Sequence, residues 1–175
     1  MENNFLHVSG TKSVFYESDQ WITWVSEEDP YNSLSRQNMP FKQDKFIIIP
    51  KPGFYYIYTQ VTYADNIAPT SGAFRVGHEV IRQSHCGHGA EETLLTSWIT
   101  QRRNQTVDDN AFDSTHMGGT FYLSTNDRVG VRMKKDSAMM SKLASNPPSL
   151  CNFGAFTVMP DTSERIDNTC CCLDA

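Results

Sequence analysis

Lys51-Pro-Gly-Phe-Tyr-Tyr-Ile-Tyr-Thr-Gln-Val-Thr-Tyr63 is a turn feeding a ten-residue strand that is aromatic on both faces. Side chains alternate across a strand, so Tyr55, Ile57, Thr59 and Val61 line one side and Phe54, Tyr56, Tyr58 and Gln60 the other. An antiparallel strand with one face in water carries polar residues on that face. Here both faces call for burial, and the second predicts another layer of chain or another subunit, hence an oligomer.

The same two-sided pattern returns in Asn152-Phe-Gly-Ala-Phe-Thr-Val158, with Phe153 on one parity and Phe156 on the other. Val129, Val131 and Met133 share a face opposite Arg128, Gly130 and Arg132. Extending this reading along the chain predicts strands at 6–10, 21–25, 45–49, 54–63, 73–82, 93–101, 119–123, 128–133 and 152–158. Pro50-Lys-Pro-Gly53 sets up the long strand, and Ser124-Thr-Asn-Asp127 reads as a hairpin turn. No stretch sustains a helical repeat with capping signals; the best, Ser137–Ala144, is short. Strands separated by turns, with no helices between them, predict an antiparallel sandwich or barrel. A long loop ends at Asn146-Pro-Pro-Ser149, and beyond Pro160 a polar stretch leads to Cys170, Cys171 and Cys172.

A chain of 175 residues is one domain of ordinary size, which buries roughly 70% of its unfolded surface. A formal charge of -5 excludes a basic nucleic-acid footprint; Arg102-Arg103 and Lys134-Lys135 are short solvated pairs. No window is long and apolar enough to span a membrane, and Met-Glu-Asn-Asn does not open a signal peptide. The chain therefore reads as a soluble protein, either cytosolic or an ectodomain without its targeting segment. No Gly-x-Ser-x-Gly, His-Glu-x-x-His or phosphate-loop pattern supplies a nucleophile with a positioned base, so no catalytic residue is expected. The five cysteines, Cys86, Cys151, Cys170, Cys171 and Cys172, lack C-x-x-C pairing and do not form a metal ribbon.

Leu6-His-Val-Ser-Gly10, Trp24, Phe46-Ile-Ile-Ile-Pro50, Gly53-Phe-Tyr-Tyr-Ile-Tyr-Thr-Gln60, Gly118-Gly-Thr-Phe-Tyr-Leu123, Asn126-Asp-Arg-Val129 and Phe153-Gly-Ala-Phe156 follow one another at set spacing. In that order the chain resembles the tumour necrosis factor ligand superfamily, the trimeric jelly-roll cytokines. The resemblance implies an all-β antiparallel jelly-roll sandwich over residues 1–160, a polar cysteine-rich tail over 161–175, and a homotrimer. It also implies strands A, A′, B′, B, C, D, E, F, G and H, with C, F and H facing the threefold axis. By parity, Tyr56, Tyr58, Gln60, His116, Tyr122, Phe156 and Val158 then face neighbouring subunits; the plainer reading of these aromatics is core within one subunit.

What the resemblance implies for function is recognition. A cysteine-rich receptor ectodomain lies in each groove between subunits, is clustered there, and triggers immune or apoptotic signalling. The receptor-contacting loops map to Thr11–Gln20, Ala64–Gly72, Ser84–Glu92 and Lys134–Leu150, and the implied contact residues are Phe15, Tyr16, His85, His88, Met139, Met140 and Lys142. The implied setting is extracellular, as a type II membrane protein's ectodomain or its shed form. No cofactor, nucleic acid or membrane contact by this segment is expected. The alternative is a complement globular-head recognition module, which shares the jelly roll and the trimer but commonly carries a collagen-like stem.

Two departures stand out. The D–E loop, Ser84-His-Cys-Gly-His-Gly89, lacks the tyrosine or other hydrophobe that many members place at its tip, and the C–D and E–F loops lack the cysteines that several members join. The family layout implies that Cys86 pairs with Cys170, Cys171 or Cys172 and that Cys151 stays reduced. His85, Cys86 and His88 are ligand types without a nearby fourth, and a threefold axis would gather three copies of His116, yet hydrogen-bonded polar roles are expected for them and no metal is assigned. Asp108, Asp109, Asn110 and Asp113 lack the glycine and terminal glutamate of a helical calcium loop, and Asn104 heads the one glycosylation sequon.

Overall fold

The structure, a computed structural model, describes residues 4–11, 15–16, 21–25, 34–64, 73–102, 112–134, 141–143 and 150–162. Its spine is the aromatic strand. Among the described residues twelve strands are formed, numbered in chain order: β1 (Phe5–Ser9), β2 (Phe15–Tyr16), β3 (Ser35–Gln37), β4 (Phe41–Lys42), β5 (Phe46–Ile48), β6 (Gly53–Ala64), β7 (Ala73–Gln83), β8 (Glu91–Arg102), β9 (Phe112–Leu123), β10 (Arg128–Met133), β11 (Ser141–Leu143) and β12 (Asn152–Pro160). They form two antiparallel sheets. β6 pairs along its length with β9 on one edge, from Gly53↔Leu123 to Ala64↔Phe112, and with β12 and then β11 on the other. β1 follows β12, and β3 follows β1. The second sheet runs β4-β5-β10-β7-β8.

The β6 alternation works as its sequence requires. Tyr55, Ile57 and Val61 are buried between the sheets with Leu6, Val8, Phe153 and Ala155, against Ile47, Val80, Val129 and Val131 of the second sheet. Trp24 closes this core, stacked on Phe153 at 5.6 Å. Each such aliphatic or aromatic side chain contributes about 1.5–3 kcal/mol when fully buried. A polar pair sits inside: Tyr63 Oη and His78 Nδ1 share a hydrogen bond at 2.9 Å, and burial holds the His78 imidazole down to about 3.

Two expectations need correction. Trp21–Val25 is no strand; it makes two isolated bridges, and its amides donate to carbonyls in different places, Ile22 to Val131, Trp24 to Asp44 and Val25 to Gly10. Ser124–Asp127 is not a hairpin, because β9 and β10 belong to different sheets. The turn is drawn across by Asn126 donating to Ile49 O and Ile49 donating to Asp127 O. Within Ser137–Ala144 the described part, Ser141–Leu143, is strand, held between β2 and β6. No helix among the described residues is long and apolar enough to cross a membrane.

Candidate functional site

Three strands, β6, β9 and β12, turn a continuous aromatic face away from the core. Cross-strand register arranges it in rows. His7, Gly154, Tyr58 and Gly118 form one; Phe5, Phe156, Tyr56 and Thr120 the next; Phe54 and Tyr122 lie beyond, and Gln60 sits opposite His116 at the other side. Tyr56 packs on Phe156 at 5.3 Å and Phe54 edge-on to Tyr122 at 5.4 Å. The glycines make room for the rings: a Cβ at Gly154 would overlap the Tyr58 ring and the Leu6 carbonyl, and one at Gly118 would displace the hydroxyl end of Tyr56. The tyrosines lie flat across the sheet as a result.

Among the described residues the exposed large hydrophobics are Phe54, Tyr122 and Phe156 at 44%, Val158 at 52% and Met159 at 61%, and all five belong to β6, β9 or β12. Tyr56, Tyr58 and Gln60 are half-buried and His116 is exposed. So the structure gathers every one of the seven residues named for a subunit interface onto one face. Sequence reading missed three neighbours. Phe54 shares their parity. His7 follows from alternation in β1; it stacks on Tyr58, its Nδ1 lies 2.7 Å from Tyr58 Oη and its Nε2 2.8 Å from Ser9 Oγ, and burial lowers its basicity. Met159 was hidden by a bulge between Thr157 and Met159, which resets parity and turns two consecutive apolar side chains outward.

The residues named for receptor contact divide between the two ends of the sandwich. Phe15 and Tyr16 pair with Lys142 and Ser141, and β11 in turn pairs with Tyr63 and Ala64, so the A–A′ and G–H segments join at the far end of β6. Met139 and Met140 lie outside the described residues, as do Asn104, Asp108, Asp109 and Asn110. His85 and His88 stand at the opposite end, in the exposed loop of residues 84–90. That loop is built by Ser84 N donating to Ala90 O, Gly89 N to Ser84 O and Gly87 N to Ser84 Oγ. Asp127 ties it down: the buried carboxylate accepts from His85 N through Oδ1, and from Ser124 N and the Arg82 guanidinium through Oδ2.

Cys86 is disulfide-bonded, while Cys170, Cys171 and Cys172 lie outside the described residues. Cys151 is a buried thiol against Thr62, pushed up to about 11 by burial, which makes it inert as a nucleophile at neutral pH. Among the described residues no three His, Cys, Asp or Glu side chains gather as a metal cluster would need.

Comparison with known proteins adds to this geometry. The model of the TNF (tumour necrosis factor) family matches residues 22–158. CD40 ligand of Mus musculus is 28% identical over 114 residues, covering 65% of this chain and 41% of that protein. CD40 ligand of Bos taurus is 29% identical over 126 residues, covering 71% and 46%. Tumor necrosis factor ligand superfamily member 13B of Mus musculus is 26% identical over 111 residues, covering 63% and 33%. The chain thus spans less than half the length of the curated relatives it matches.

Proposed function

The chain belongs to the tumour necrosis factor family, and from that premise we propose that it is the receptor-binding part of an extracellular cytokine that works as a homotrimer. The observation that carries the trimer is the aromatic face. Five half- to well-exposed apolar side chains on one sheet, with Tyr56, Tyr58 and His7 between them, are a surface that monomeric proteins seldom expose. Closing that face around a threefold axis removes it from water in all three subunits at once. Half-exposed aromatics still have roughly 1 kcal/mol each to gain from full burial, so the trimer is obligate.

Each groove between subunits then receives a cysteine-rich ectodomain of the tumour necrosis factor receptor family. Because A–A′ and G–H meet at one end and the D–E loop stands at the other, the receptor must be elongated to touch both. Phe15, Tyr16, Met139, Met140 and Lys142 form the upper contact in this reading, and His85 and His88 the lower. Two of the relatives are named as ligands of CD40; at their identity the class of receptor carries over and the individual receptor does not. We assign the partner of Cys86 to Cys170, Cys171 or Cys172, and Asn104 to a surface glycan.

The test is binding of the intact trimer to a panel of receptor-family ectodomains. Tyr16→Ala and Met140→Ala are expected to lose roughly 2 kcal/mol of affinity at one or both positions. Unchanged affinity at both, with the trimer intact, would contradict the upper contact.

A further inference from the structure

Where β7 turns into β8, the loop of residues 84–90 and the turn of residues 124–127 border a hollow of about 290 Å³. Gln83, His85, His88, Asn126 and Arg128 line it. Among the described residues, the side chains of His85, His88, Asn126 and Arg128 make no hydrogen bond or ion pair, although each carries a donor. The acid adjoining them in sequence is already committed. Asp127, between Asn126 and Arg128, spends one oxygen on His85 N and the other on Ser124 N and Arg82. Gln83 donates to Glu91. The frame is fixed as well: His88 holds φ +52° and Asn126 φ +66°. A histidine in that conformation costs about 1 kcal/mol over glycine, so residue 88 carries an imidazole where glycine would fold more easily.

We propose that this hollow is an anion subsite that takes one carboxylate, the side chain of a receptor aspartate or glutamate. Arg128 is its ion partner, and the two imidazoles and the Asn126 amide are flanking donors; this rests on the reading that the D–E loop faces the receptor. A guanidinium binds a carboxylate through paired, charge-assisted hydrogen bonds. The subsite would supply here the anchoring that the absent loop-tip hydrophobe cannot. Size and charge favour a single carboxylate over a sulfated polysaccharide. The hollow, near the lower end of small-molecule pocket sizes, holds a side chain and its immediate neighbours but not a run of sugars, and beyond Gln83 stand the exposed Glu91 and Glu92 on a chain of net charge -5, which repel a polyanion running past the site.

The site is tested by titrating the labelled trimer with N-acetyl-Gly-Asp-Gly-amide and with its Asn counterpart, following the Arg128 Nε and the His85 and His88 ring resonances. The Asp peptide is expected to shift them and the Asn peptide to leave them, with the response lost in Arg128→Ala and weakened in Arg128→Lys. Because the Arg128 side chain is exposed and makes no hydrogen bond or ion pair among the described residues, these variants are expected to keep the trimer. Equal responses to both peptides, a response surviving Arg128→Ala, or saturation by a heparin hexasaccharide at lower concentration than the Asp peptide would each overturn the proposal. On a receptor ectodomain that binds the wild type, Arg128→Glu is expected to lower affinity at least about tenfold, with recovery when one receptor acid is changed to Lys. If Arg128→Glu leaves affinity intact while Tyr16→Ala reduces it, the subsite falls and the receptor reading stands. A panel with no binder brings down the receptor reading, while the peptide titration still decides the subsite.

Discussion

The two sheets of this molecule show water opposite surfaces. Away from the hollow beside Arg128, the charges and rings of the β4-β5-β10-β7-β8 sheet complete one another. Arg132 bridges Glu79 at 2.9 Å and Glu91 at 2.8 Å, Lys134 reaches Glu79 at 3.6 Å, and Arg82 joins Asp127 and Glu92. Cations cap Trp98 of β8 and Trp21 beside the sheet, Trp98 by Arg75 and Lys134 and Trp21 by Arg132, at 4.9–5.2 Å. The β6, β9 and β12 face has no such closure. Its rings pack on one another and then stop at solvent. A surface whose polar groups are satisfied internally needs no partner, and one whose apolar groups are half covered does; that contrast is the ground on which the aromatic face is proposed as the subunit interface.

The largest way to break the contrast is to charge the unfinished face. Phe156→Asp is expected to abolish assembly, since a carboxylate in that interface costs several kcal/mol in each subunit, and size-exclusion chromatography would show monomer or aggregate. A trimer that tolerates it would remove the face from the interface. Next comes Asp127, the most deeply buried carboxylate among the described residues. Asp127→Ala leaves Arg82 and two backbone amides without their acceptor, and about 3–5 kcal/mol of stability is expected to go, read by denaturant unfolding. A loss below 1 kcal/mol would show that the residue 84–90 loop stands without it.

Acid sharpens the account of the core between the faces. His78 is neutral in the fold and held down to about 3 against an ordinary 6.5, so the unfolded chain takes up the proton first. Its contribution is complete above pH 6.5 and declines as pH falls toward 3. Between pH 7 and pH 4 that amounts to roughly 3 kcal/mol. Unfolding free energies of wild type and His78→Gln at both pH values would isolate it, and parallel losses in the two proteins would refute it. The smallest effect belongs to the finished surface: Glu92→Gln removes an exposed bridge to Arg82 and is expected to change stability by less than about 1 kcal/mol and the oligomer not at all.

How far the sequence carried this reading depended on how local the governing physics is. β6 was legible because its two faces repeat every second residue over twelve positions, and the outward-facing aromatic residues followed by parity. Val158 and Met159 show the limit: an extra residue in β12 changes the parity, and nothing local in Thr-Val-Met announces it. Trp21–Val25 has strand composition but finds its hydrogen-bond partners in three separate places, a choice made by tertiary contacts. Ser124–Asp127 has hairpin residues, yet the buried Asp127 and the bonds to Ile49 send it to the other sheet. Arg128 was readable as outward-facing from its alternation with Val129 and Val131, but its company with His85 and His88 comes only from the pairing of β10 with β7.

The most direct test of the central claim is the solution mass of the wild-type chain, by multi-angle light scattering across a dilution series down to low micromolar concentration. A constant mass of three chains is the predicted result. A monomer with the β6, β9 and β12 face open to water would contradict the account.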